Sequence, residues 1–137
     1  MGIEGVMAGF DIAGSGLAAE RARMNVIAEN VANAYVTRTP EGGPYVRRVV
    51  GFENALDSAY GGVRVSGIFQ DQRSPFVTVK EPGHRDADAE GNVRYPNVDV
   101  LQEMVDFNVA RRSYEANLAV FRAYTGMVKN AIGNITA

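Results

Sequence analysis

The chain has no cysteine and a single histidine among its 137 residues. The first absence removes disulfide frameworks, thiolate metal sites and thiol nucleophiles, and leaves the redox compartment open. The second leaves only His84 for any Ser-His-Asp arrangement, and it lies in the turn-like run Pro82-Gly83-His84-Arg85-Asp86, so it reads as a surface histidine. Clustered positive charge is also missing. Lys and Arg number 14 against 16 Asp and Glu, the formal net charge is -2, and the only adjacent basic pairs are Arg47-Arg48 and Arg111-Arg112. Phosphate recognition needs denser basic patches, which argues against a nucleic-acid partner. The first fourteen residues, MGIEGVMAGFDIAG, lack a basic leader and are interrupted by Glu4 and Asp11, so neither a cleaved signal peptide nor insertion into a membrane is expected.

What the chain does have is period. Val100, Phe107, Tyr114, Phe121, Val128 and Ile135 fall seven apart, with Met104, Leu118 and Ile132 offset by four and Arg111 and Thr125 interrupting. That is the seam of a long helix of coiled-coil character. From Ser113 onward only Glu115, Arg122 and Lys129 are charged, and they too are seven apart. A helix with charge along one line and apolar or small residues elsewhere expects neighbours on several sides. Residues 6–34 repeat the pattern with Phe10, Leu17, Met24 and Val31, joined by Ala13, Ile27 and Ala34. Gly2, Gly5, Gly9, Gly14 and Gly16 weaken its early part by about 1 kcal/mol each relative to alanine. Either the helix starts at Ser15 as N-cap, or the glycines admit a closely packed neighbour.

Between the helices the texture changes to glycine and proline punctuation around short runs of strand character. Strands are predicted at 45–50, 63–69, 76–80 and 93–95, separated by Glu41-Gly42-Gly43-Pro44, Gly61-Gly62 and Glu81-Pro82-Gly83. Asp99 with Gln102 is a capping box for the last helix, and Gly133 is its stop signal. The fold class is α+β: long N- and C-terminal helices paired as a coiled-coil-like unit, with a small antiparallel β insertion between them. The corresponding units are residues 1–34 (N-terminal helix), 35–96 (β-rich insertion) and 97–137 (C-terminal helix).

No motif points to catalysis or to a cofactor. Gly14-Ser15-Gly16 lacks the preceding strand, third glycine and Lys-Ser or Lys-Thr of a phosphate loop. Asp86, Asp88, Glu90 and Gly91 open like a calcium loop, but the twelfth position is Asn97 where a glutamate is needed, and the flanks read as strands or turns. A solvated acidic turn is the better reading, and no metal ligand is assigned. Asn25, Asn30, Asn33, Asn108, Asn117, Asn130 and Asn134 are mediocre helix formers; either they face solvent or their amides bond across helix interfaces and set register.

Residues 15–37 (SGLAAERARMNVIAENVANAYVT) resemble the N-terminal motif of bacterial flagellar axial proteins in Ser15-Gly16-Leu17, Asn30, Asn33 and Thr37. Residues 82–121 are similar to the corresponding block of the FlgC family of proximal rod proteins. The match includes Asp86-Ala87-Asp88, Gly91, Tyr95-Pro96-Asn97-Val98 and Arg112-Ser113-Tyr114-Glu115-Ala116-Asn117. Arg85 and Gly14 depart from the family's usual proline and alanine. The resemblance implies a non-enzymatic structural subunit of the flagellar basal body, in the rod that crosses the periplasm. It implies export by the flagellar type III apparatus without a cleaved signal, and helical assembly with copies of itself and other rod proteins. The assembly interface is then expected at Leu17, Met24, Ile27, Asn30, Val31 and Asn33 on the first helix and at Phe107, Tyr114, Leu118, Phe121 and Val128 on the last. Another axial subunit, of rod or hook, and a small calcium-binding module are the alternatives.

Overall fold

The computed structural model describes residues 2–56 and 58–136. Helix α1 spans Ile3–Ala32 and helix α2 spans Val100–Thr136. Between them lie strands β1 (Arg48–Asn54), β2 (Val63–Gln70), β3 (Val77–Lys80) and β4 (Asn92–Tyr95). The β insertion takes the form of two separate antiparallel hairpins, β1 with β2 and β3 with β4. In the first, Arg48 faces Gln70 and Asn54 faces Val63, with a register shift between Gly51 and Phe52; in the second, Val77 faces Tyr95.

The two helices run antiparallel, and small residues set how closely they approach. Ala13, Ala19 and Ala110 are buried beside Val26 and Ile27, with Ala34, Tyr45 and Val93 completing the core. A Cβ on Gly9 would lie 2.1 Å from the Tyr124 ring, and one on Gly16 would lie 2.8 Å from the Asn117 amide. At these glycines side chains of α2 occupy the space a Cβ would take, and the helix does not wait for Ser15 to begin. Its N-cap is Gly2 with no side-chain cap. Ser15 is instead a tie within the fold, its hydroxyl donating to the Ile12 carbonyl at 2.8 Å and accepting from the Val63 N–H at 3.1 Å. Phe10 stacks on Phe121 with centroids 4.3 Å apart.

Three local expectations need correction. First, β1 starts at Arg48, not at 45, because the preceding N–H groups are engaged elsewhere: that of Tyr45 on the Val36 carbonyl and that of Arg47 on the Asn97 side chain. Second, Asp99 caps α2 as expected, accepting from the N–H groups of Leu101 and Gln102. Gln102 does not complete a box; it turns along the helix to Asp106 at 3.1 Å. Third, Gly133 does not stop α2, which continues to Thr136. A single glycine costs too little to end a helix without a competing cap.

The apolar seam also ends sooner than its period suggests. Gly9 faces Tyr124, Gly16 faces Asn117 and Asn30 faces Glu103, so each seven-residue step along α1 matches the same step back along α2. This stepping places the start of α1 opposite the region of Asn130. Beyond it, among the described residues, α2 has no helix to lie on, and Ile132 and Ile135 are 57% and 84% exposed. Met104 is exposed as well, because Glu103 and Ala110 take the inward positions there.

Candidate assembly interface

The junction of the two helices with the first hairpin is held by a polar hub. Asn30 is completely buried in α1 and uses its whole hydrogen-bonding capacity. Its Nδ2 donates to the Arg48 carbonyl at 2.8 Å and to Glu103 Oε2 of α2 at 3.2 Å. Its Oδ1 accepts from the Tyr45 hydroxyl and the Arg48 N–H, both at 2.9 Å. Of the two readings open for the asparagines, Asn30 takes the bridging one. Asn33 takes neither: its amide donates to the Glu29 carbonyl of its own helix end at 2.8 Å.

Glu103, 1% exposed, meets Arg47 through Oε1, and Arg47 also reaches Asp71 Oδ2 at 3.3 Å. Burial works against the Arg47 charge, but the hydrogen bonds and charges of Glu103 and Asp71 outweigh it and raise its pKa. Burial likewise raises the Tyr45 hydroxyl, assisted by Glu29 and Glu103 and opposed by Arg48. Asp71 accepts from the Ser74 hydroxyl and from the N–H groups of Arg73 and Ser74, which hold its carboxyl down to about 2. Asn97 closes the arrangement, accepting from the Arg47 N–H at 2.7 Å and donating to the carbonyls of Asp71 and Ser74. Satisfied on all sides, such a network fixes one relative placement of helices and hairpin.

A second tie joins the end of α1 to the acidic turn. The Thr37 hydroxyl donates to Asp86 Oδ2 at 2.7 Å, and Arg38 pairs with the other oxygen. Thr37 and Arg38 hold the Asp86 carboxyl below its ordinary range against the opposing effect of desolvation. Asp88 accepts from the N–H groups of Glu90 and Asn92, so this carboxylate shapes the turn. Among the described residues, no three His, Asp or Glu side chains are grouped to hold a metal ion. His84 sits in the same turn, its Nδ1 accepting from the Asp86 N–H at 3.0 Å.

Of the residues expected at an assembly interface, Ile27 and Asn30 are buried within this single chain. Leu17, Met24, Val31, Asn33, Phe107, Tyr114, Leu118, Phe121 and Val128 are half-buried. The side of α2 turned away from α1 carries a further stripe that the heptad reading passed over. It consists of Val105, Val109, Val120 and Met127, which are 50%, 48%, 46% and 47% exposed, with Ala116 and Ala123 between them. Among the described residues no helix is long and apolar enough to cross a membrane.

The two ends of the chain match two family models, described as "Flagella basal body rod protein" over residues 10–38 and "Flagellar basal body rod FlgEFG protein C-terminal" over residues 89–134. Relatives extend the likeness along the chain. A flagellar basal-body rod protein FlgC of Salmonella typhimurium is 46% identical over 121 residues, covering 87% of this chain and 90% of its own. The chain belongs to the FlgC family of flagellar basal-body rod proteins. Members from Borreliella burgdorferi and Bacillus subtilis are 37% and 40% identical, covering 93% and 90% of this chain and 96% and 93% of their own lengths. Within this FlgC-family chain the axial motif residues Ser15, Asn30 and Thr37 and the block residue Asp86 tie the first helix and its end to the insertion, and Asn97, just before the last helix, bonds to Arg47, Asp71 and Ser74 of the insertion. Arg47, Tyr45, Asp71 and Glu103 belong to the same hub and escaped the sequence reading. Their only signal was the adjacent pair Arg47-Arg48, which has no meaning until Glu103 is brought beside it.

Proposed function

We propose that this chain is a structural subunit of the flagellar proximal rod, and that it polymerises through its terminal helices to build part of the basal-body drive shaft and of the channel through it. It reaches the rod, which crosses the periplasm, through the flagellar export apparatus. It assembles there with copies of itself and with other rod proteins. The observation that carries the polymerisation is the outward stripe of α2: Val105, Val109, Val120 and Met127 form an apolar ridge opposite the face that α1 covers. Burying one such side chain contributes about 1.5–3 kcal/mol, which a lone helical pair forgoes and an assembled wall recovers. The half-buried residues along the seam, from Leu17 and Met24 to Phe121 and Val128, then form the inner lining of the same contacts.

The test is Val120→Asp in a strain whose own copy of the gene is deleted. An exposed substitution of this kind leaves the urea midpoint of the purified chain close to wild type. Swimming and incorporation into isolated basal bodies should both be lost. A variant that is incorporated and swims normally would remove this face from the assembly.

A further inference from the structure

The free end of the helical pair carries unpaired charge of opposite sign on its two helices. Glu4 and Asp11 are the only charged residues in the first nineteen, both exposed on α1. Arg122 and Lys129 are the only charged residues of α2 after Glu115, both also exposed. None of the four forms an ion pair or side-chain hydrogen bond among the described residues. Their levels nevertheless correspond. The stepping that sets Gly9 against Tyr124 and Gly16 against Asn117 puts Asp11 level with Arg122 and Glu4 level with Lys129. Within one chain they do not meet, because Asp11 and Arg122 each lie two residues, or roughly 200° of helix, round from the facing pair Gly9 and Tyr124.

The geometry points to a second copy of this chain as the occupant of that outward face: α2 of one subunit, around Arg122 and Lys129, packs beside α1 of the next, around Glu4 and Asp11. This rests on the rod reading above and names the face and register by which copies meet. Copies arranged side by side with their axes alike place α2 antiparallel to the neighbouring α1, as it is within the chain. The level pairs Arg122 with Asp11 and Lys129 with Glu4 therefore recur between copies. Sliding by one heptad loses one of the two pairs, so charge selects the register. Exposed ion pairs contribute little affinity but penalise wrong pairings. Affinity comes from the neighbouring exposed apolar side chains, Met7 on α1 and Val120 and Met127 on α2.

A two-fold arrangement is disfavoured on the same grounds. It would set α2 against α2 and oppose Arg122 and Lys129 to themselves, whereas the side-by-side contact joins unlike surfaces and leaves each copy ready for another. Arg21 and Arg112 also share a level, and both are exposed. The close contact is therefore centred on the Asp11 end, where no like charges oppose.

The absence of native cysteine makes the test specific. A chain carrying Asp11→Cys and Arg122→Cys is expressed in cells deleted for the gene, basal bodies are isolated and oxidised, and the products are separated without reductant. A ladder of dimers and higher multimers that collapses on reduction is the expected result. Monomer alone, recovered from basal bodies of swimming cells, overturns this contact and leaves the rod reading intact. Absence of the wild-type chain from basal bodies overturns the rod reading itself and this contact with it. Should the cysteine variant fail to fold, the charge exchange decides: Asp11→Arg and Arg122→Asp each impair swimming, and their combination restores it. A combination no better than the worse single variant also overturns the contact.

Discussion

Asn30, Glu103 and Arg47 join three elements, and their chemistry makes the junction intolerant of change. Glu103→Ala should destabilise the chain by about 3–5 kcal/mol, because it strands Arg47 and one Asn30 donor in a site from which water is largely excluded. Glu103→Gln keeps the shape but loses the charge and should cost about 1–3 kcal/mol. Urea unfolding of the purified chain measures both, and equal losses would show that charge, not shape, holds the hub. Asp71 gives the junction a pH signature. Its carboxyl is lowered from 3.8 to about 2, so its contribution is complete above the higher value and is lost as pH falls through the lower. Urea midpoints of wild type and Asp71→Asn should therefore differ at neutral pH and converge as pH approaches about 2. A difference that persists unchanged to that pH would remove the ionised carboxylate as its cause.

At the scale of the element, α1 owes its first three turns to what lies across from them. Gly9 is a poor helix residue by intrinsic preference, yet the Tyr124 ring occupies the place of its missing Cβ. Gly9→Ala gains about 1 kcal/mol of helix propensity and displaces that ring. It should destabilise the wild-type chain but stabilise a Tyr124→Ala background, a reversal of sign that thermal unfolding of the four proteins would reveal. Stabilisation in both backgrounds would mean that the ring moves freely. Both helices were legible from their sevenfold series, whereas the start of α1 was not, because glycine is unfavourable until a neighbour is specified. The start of β1 was obscured similarly: residues 45–47 have strand character, but the N–H groups of Tyr45 and Arg47 go to Val36 and Asn97. Thr37, Asp86 and Asn97 were visible as motif residues, while the bonds they make were not.

For the whole molecule, the uneven distribution of support sets a gradient of stability. Near the hub, α1 and α2 are held by each other and by the first hairpin through Asn30, Arg48 and Arg47. Beyond the Ser15–Val63 tie, toward the free end, they have only each other, and past the start of α1, among the described residues, the last turns of α2 have no helix beside them. Amide exchange in the dilute chain should be slow around Val26 to Asn30 and around Glu103 to Ala110, and fast before Phe10 and after Tyr124. Assembly should protect the fast segments, since the outward side chains of Glu4, Met7, Met127 and Lys129 lie there and would be covered. Uniform protection in the isolated chain would mean that the helical pair is complete without partners.

The sequence by itself determined the order helix, β insertion, helix, the α+β class and the likeness to the FlgC family. Each of these depends on local period, on punctuation or on residue type, which are properties of neighbouring positions. The tertiary structure alone decided that Asn30 points to Arg48 and Glu103, which lie 18 and 73 positions away. It also decided that the insertion divides into two hairpins and that one side of α2 remains uncovered. A buried amide or carboxylate acquires its role from groups that folding brings to it. A period of seven says that a helix has a face, but only packing says how many faces are already filled.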